Sequence, residues 1–147
     1  MFFHFISNSP EETEKIAETF ADNLSGGEVI AFLGNLGMGK TCFMRGLAKG
    51  LGFNGDVTSP TFAIVNEYSG TLPLFHFDMY RINDEDDLYS IGFYDYNGIL
   101  ACEWCEKIPY AVPDDRIEIK IEKTFNFNAK QEAIMAKKVV LAGACRT

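Results

Sequence analysis

The sequence predicts a single α/β domain: a sheet with parallel central strands and antiparallel additions, and helices on both faces. Three observations lead there. Val29-Ile30-Ala31-Phe32-Leu33 is a continuous apolar run, as expected of a strand covered on both faces within a parallel sheet. Ile16, Ala17, Phe20, Ala21 and Leu24 recur at helical spacing, which gives one apolar face. Ile117, Ile119 and Ile121 alternate with charged residues, the pattern of a half-buried strand late in the chain. The length of 147 residues suits one compact domain. No linker, repeat or low-complexity stretch divides it, so residues 1–147 are read as one unit.

Met1 to Ile6 reads as a first strand. Ser9-Pro10-Glu11-Glu12 is a helix start: Ser9 caps free N–H groups, Pro10 suits the first position and Glu12 completes a capping box. Ser25-Gly26-Gly27 closes that helix. After the apolar strand comes a glycine-rich turn, then a second helix over about residues 40–49. Residues 61–68 and 72–79 read as two strands joined at Ser69-Gly70, a possible hairpin. Asn83-Asp84-Glu85-Asp86-Asp87 could open a short helix, although a solvated acidic face is the simpler reading. Residues 99–102 form a short apolar strand that ends at Glu103-Trp104, and residues 131–140 read as a last strand.

Composition narrows the function. Twenty-one acidic residues against 13 Lys and Arg leave a net charge of −8, with a pI near 4.7. Proteins that hold nucleic acid by its phosphates normally present a basic surface, so autonomous DNA or RNA binding is not expected. No apolar stretch approaches the roughly 20 residues a membrane-spanning helix needs, and the N-terminus lacks the features of a secretion signal. A soluble, cytoplasmic protein is the expectation. Cys102 and Cys105 form a C-x-x-C, but it closes an apolar strand, while Cys42 and Cys145 lie far off in sequence. Incidental cysteines in a reducing compartment fit better than a zinc or redox site.

The chemistry is concentrated in Gly34-Asn35-Leu36-Gly37-Met38-Gly39-Lys40-Thr41, a full match to the P-loop pattern G-x-x-x-x-G-K-S/T. Glycines let the backbone turn tightly and bring N–H groups onto phosphates. Lys40 reaches the β- and γ-phosphates, Thr41 ligates Mg²⁺, and the following helix offers its positive N-terminal end. The preceding strand and following helix supply the context the pattern requires. Asn35, Leu36, Gly37, Met38, Gly39, Lys40, Thr41 and Cys42 are therefore nucleotide-binding candidates, and Ser9 is placed with them. Asp78 and Glu103 each end an apolar strand. In open α/β sheets the ligand lies at the carboxyl ends of the strands, so either acid could hold Mg²⁺ or orient an attacking water. His76 reads as a packed, hydrogen-bonded histidine, Arg81 as a salt bridge or an arginine finger, and Trp104 as packing beside the site. Ser59-Pro60-Thr61 reads as a turn entering a strand.

Four blocks taken together resemble the TsaE (YjeE) family: the P-loop; Ser59-Pro60-Thr61-Phe62 with Val65, Glu67 and Tyr68; His76-Phe77-Asp78-Met79-Tyr80-Arg81; and Glu103-Trp104. The resemblance implies a P-loop NTPase-like sheet and an ATPase, slow alone, that uses ATP and Mg²⁺. It implies work beside TsaB and TsaD in threonylcarbamoyladenosine modification, with tRNA met only through partners. On the family pattern Lys40, Asp78 and Glu103 carry the catalytic roles, Thr41 and Glu103 bind the metal, and residues 59–61 respond to nucleotide. Two departures stand out. Cys105 replaces the proline that usually follows Glu-Trp, and Ala129-Lys130 stands where a Gly-Arg pair is usual. Lys130 is thus the nearest substitute for an arginine that would touch nucleotide. The competing readings are a small-molecule P-loop kinase, which the few arginines disfavour, and a nucleotide-gated binding module in which hydrolysis is incidental. A GTPase is disfavoured by the absence of an N-K-x-D sequence.

Overall fold

The computed structural model describes residues 2–33, 39–58 and 64–143. Asn35, Leu36, Gly37 and Met38 of the P-loop, Ser59-Pro60-Thr61, and Cys145 therefore lie outside the described residues. The strands are β1 (Phe2–Ser7), β2 (Val29–Leu33), β3 (Val65–Tyr68), β4 (Leu74–Asp78), β5 (Ile99–Glu103), β6 (Ile117–Phe127) and β7 (Ala133–Gly143). The α-helices are α1 (Pro10–Ala21), α2 (Lys40–Gly50) and α3 (Glu85–Ser90). Single turns of 3₁₀ helix follow at Phe93–Asp95 and Cys105–Lys107.

Among the described residues the strands form one seven-stranded sheet in the order β1-β7-β6-β2-β5-β4-β3. The inner pairs β6/β2, β2/β5 and β5/β4 are parallel. The outer pairs β1/β7, β7/β6 and β4/β3 are antiparallel. The expected hairpin is β3–β4, with Val65 opposite Phe77 and Tyr68 opposite Leu74.

Period-two alternation sorts the side chains to two cores. Ile30 and Phe32 of β2, Ile99 and Ala101 of β5, Leu74 of β4 and Ile119 and Ile121 of β6 face α1 and α2. Ala31, Phe75, Phe77, Leu100 and Cys102 face α3 and the two 3₁₀ turns. Phe32 meets Phe43 of α2 edge-on, with ring centroids 5.8 Å apart. Each such fully buried side chain contributes about 1.5–3 kcal/mol of transfer free energy. The sheet is thus covered on both faces, as the unbroken apolar run of β2 required.

The capping at α1 differs in one detail from the sequence reading. Ser9 Oγ accepts the Glu12 N–H at 3.1 Å, but the Glu12 carboxylate reaches back to the Asn8 N–H, at 2.6 Å, not to that of Ser9. At α3 the acidic run serves both readings. Asp84 caps the helix by accepting the Asp87 N–H at 2.9 Å, and residues 83–86 remain exposed. Glu28 went unnoticed in the sequence. It is buried, and its carboxylate accepts the N–H groups of Ser25 at 2.8 Å and Gly26 at 2.6 Å, fixing the turn into β2.

β6 and β7 run on past the rest of the sheet. β2 ends opposite Lys120, whereas the β6/β7 ladder continues to Phe127 opposite Ala133. The extension is a two-stranded arm, with Phe125, Phe127 and Met135 exposed.

Candidate functional site

α2 begins where β2 delivers the chain from the carboxyl end of the parallel strands. Gly39 caps it with φ of +96°, a left-handed conformation in which an L side chain is strained. Lys40 is the first helical residue and is buried on the sheet-facing side of α2, with Phe43, Met44 and Leu47. Thr41 is exposed at the same helix start and Cys42 is half-buried.

β4 and β5 are in parallel register with Asp78 opposite Glu103, so the two strand-ending acids are neighbours on one face. That face is the α2 side, because Leu74, Ile99 and Ala101 point the same way. Asp78 is half-buried and its Oδ1 accepts the Tyr80 N–H at 3.0 Å, turning the chain out of β4. Glu103 is buried, 7% exposed. His76 Nε2 lies 2.8 Å from Glu103 Oε2. Burial pushes the Glu103 carboxyl up, but the His76 hydrogen bond, the electrostatic pull of His76 and the charge of Lys40 together hold it below the ordinary glutamate value. The ionised carboxylate only accepts hydrogen bonds, so the imidazole hydrogen at this contact sits on Nε2. His76 Nδ1 is buried with no hydrogen-bond partner among the described residues. An unsatisfied buried polar atom of this kind costs about 1–3 kcal/mol.

Six of the described candidate residues fall into two groups by position. Lys40, Asp78 and Glu103 converge at the carboxyl ends of β4 and β5. Ser9, Gly39 and Cys42 converge on the other side of the α2 start, where they line a hollow of ≈ 210 Å³. Lys130 joins neither group. It is exposed in the turn between β6 and β7, where its N–H donates to Asn128 Oδ1 at 2.9 Å. Met135 and Lys137 of β7 line the hollow instead, with Asn8 and Thr13. The sequence reading missed Met135 and Lys137 because their place depends on how β7 pairs in the sheet, with Lys137 opposite Lys123 of β6 and Ser7 of β1. A larger apolar groove of ≈ 650 Å³ between β1 and α1 is lined by Phe3, Phe5, Ile16 and Phe20 and holds none of the candidate site residues.

Among the described residues no group of three or more His, Cys, Asp or Glu side chains could hold a metal by itself. The donor set suits a different arrangement. Mg²⁺ usually keeps waters and takes only one or two protein oxygens beside substrate phosphates. A threonine hydroxyl at the helix start and one held carboxylate fit that demand. The other expectations are modest. Arg81 is exposed in the turn after β4. Trp104 is half-buried, its ring centroid 5.1 Å from that of Tyr80. Cys102 and Cys105 are buried free thiols. The Cys105 contact and burial push the Cys102 thiol well up, which suits packing and not redox exchange. No helix among the described residues is long and apolar enough to cross a membrane.

Residues 7–132 match the family described as "Threonylcarbamoyl adenosine biosynthesis protein TsaE". The chain belongs to the TsaE family. It is 42% identical to the tRNA threonylcarbamoyladenosine biosynthesis protein TsaE of Bacillus subtilis over 117 residues, 78% of this chain and 74% of that one. Its identity to the Aquifex aeolicus protein of the same name is 47% over 105 residues, 69% of this chain and 76% of that one. The Treponema pallidum relative is 34% identical over 119 residues, 79% of this chain and 88% of its own. Among solved structures, the crystal structure of Bacillus subtilis YdiB is similar with a TM-score of 0.73 and 30% identity, covering 97% of this chain and 86% of that one. The TsaE family takes part in threonylcarbamoyladenosine biosynthesis on tRNA.

Proposed function

We propose that the protein is a Mg²⁺-dependent ATPase that serves tRNA threonylcarbamoyladenosine synthesis as an accessory subunit of TsaB and TsaD, meeting tRNA only through them. The observation that carries this reading is the placement of Lys40 and Glu103. A buried lysine opens the helix that follows the P-loop pattern, and its charge acts on a buried carboxylate at the end of β5. The phosphates would lie at the start of α2, against Lys40 and the backbone of the P-loop. The nucleoside would occupy the hollow beside Ser9, Gly39 and Cys42. Bound Mg²⁺ would neutralise phosphate charge and would be held by Thr41 and Glu103. Asp78, beside Glu103, is the candidate for orienting the attacking water. The acidic surface, net charge −8, agrees with an accessory factor that does not grip RNA directly.

The test is ATP hydrolysis by the purified protein, alone and with TsaB and TsaD added. Lys40→Ala is expected to weaken nucleotide binding and to reduce turnover to background, and the added pair to stimulate the wild type. Hydrolysis by Lys40→Ala at the wild-type rate would defeat the assignment. A small-molecule kinase would instead show phosphate transfer to an added acceptor.

A further inference from the structure

β5 places Glu103 at the site, but a residue on the neighbouring strand aims its carboxylate. His76 precedes Asp78 on β4 by two positions and shares its face of the sheet. Since Asp78 stands opposite Glu103 in the parallel ladder, the imidazole reaches Glu103 on the diagonal. The 2.8 Å contact runs between two side chains that are 4% and 9% exposed. Nδ1, the other ring nitrogen, is buried and has no hydrogen-bond partner among the described residues. Among the described residues its side-chain hydrogen bond is to Glu103. A histidine that served packing alone would leave the carboxylate free to rotate or to turn toward Lys40.

We propose that His76 is a positioning residue for the metal of the bound nucleotide: it ties down Oε2 of Glu103 and leaves Oε1 as the oxygen available to the cation or to its water. The inference rests on the magnesium–nucleotide reading of the site. Partners that orient a metal-binding carboxylate commonly contribute 10–100-fold to metal affinity or activity. Among the described residues Nδ1 has no partner, so the bond to Glu103 is the hydrogen bond that replacing the ring removes.

Two substitutions of similar volume separate the roles. His76→Gln retains an N–H that can donate to Glu103, and His76→Met does not. The experiment titrates Mn²⁺ into each protein with ADP and follows free Mn²⁺ by electron paramagnetic resonance. ADP binding in chelator and thermal unfolding are measured on the same samples. His76→Met is expected to bind ADP in chelator as the wild type does but to lose roughly 10–100-fold in Mn²⁺ affinity, and His76→Gln to recover part of it. A folded His76→Met with wild-type Mn²⁺ affinity would overturn the positioning role. So would equal losses in both variants. If His76→Met does not fold, His76→Asn, too short to span the gap, should show the same loss. A wild-type protein that binds no Mn²⁺ with ADP would sink the magnesium–nucleotide reading itself, a result distinct from wild-type affinity in the variant.

Discussion

Burial by itself would make the Glu103 carboxyl harder to ionise, yet the His76 hydrogen bond, the electrostatic pull of His76 and the charge of Lys40 outweigh it. A carboxyl whose folded pKa is depressed contributes stability above its unfolded value and loses it as pH falls through the folded one. For Glu103 the contribution is complete above the ordinary value of 4.5 and disappears at lower pH. Glu103→Gln resembles the protonated acid. The gap in melting temperature between wild type and Glu103→Gln should therefore hold steady at neutral pH and narrow as the pH drops below that value. A gap that widens on acidification would mean that the carboxyl is raised. Trp104, next in the chain, has φ of +62°, a left-handed conformation costly for a bulky residue. It turns the backbone as it leaves the site and lays the indole against Tyr80.

α1 and α2 are held together by close approach. A Cβ built on Gly46 would lie 2.0 Å from the carbonyl oxygen of Glu14 on α1, and one on Gly50 would lie 2.7 Å from that of Glu18. Both contacts are with backbone, which cannot swing away as a side chain would. The salt bridge from Arg45 to Glu14, at 2.6 Å, lies on the exposed flank of the same contact and adds little, since exposed pairs contribute about 0–1 kcal/mol. Gly46→Ala should force the helices apart and cost about 1–3 kcal/mol, a fall in melting temperature of roughly 3–12 °C for a domain of this size. An unchanged melting temperature would mean that α1 rides off α2 freely. Since α2 carries Lys40 and α1 is capped by Ser9, the same shift would disturb the hollow between them.

Across the whole molecule, protection from solvent should follow coverage. β2 and β5 lie inside the sheet with both faces packed. Among the described residues the far arm of β6 and β7 is held by its own ladder and by one side-chain hydrogen bond, from Asn126 Nδ2 to Asn8 Oδ1, with Phe125 and Phe127 71% and 63% exposed. Hydrogen exchange should be slowest in residues 29–33 and 99–103 and fast in residues 124–134, because local opening there uncovers little apolar surface. Comparable protection at the arm would reveal that another surface covers it in solution.

The sequence by itself determined the elements and suggested the kind of chemistry. The apolar run of β2, the Ser9-Pro10 start of α1 and the alternation from Ile117 are local patterns, and each sets one element through burial or capping. The P-loop pattern, confined to residues 34–41, is likewise legible without a fold because its spacing alone carries the phosphate-binding reading. Only the tertiary structure decided which residues meet. Parallel register put Asp78 opposite Glu103 and brought His76 within reach of it, and nothing local in β4 signals a partner 27 residues away. Register in the β6/β7 ladder placed Lys137 at the hollow and Lys130 out on the turn. A slip of one residue would reverse every face. Strand pairing is a long-range choice made by the packing of both cores together, and for that reason the geometry of the site could not be read from the chain alone.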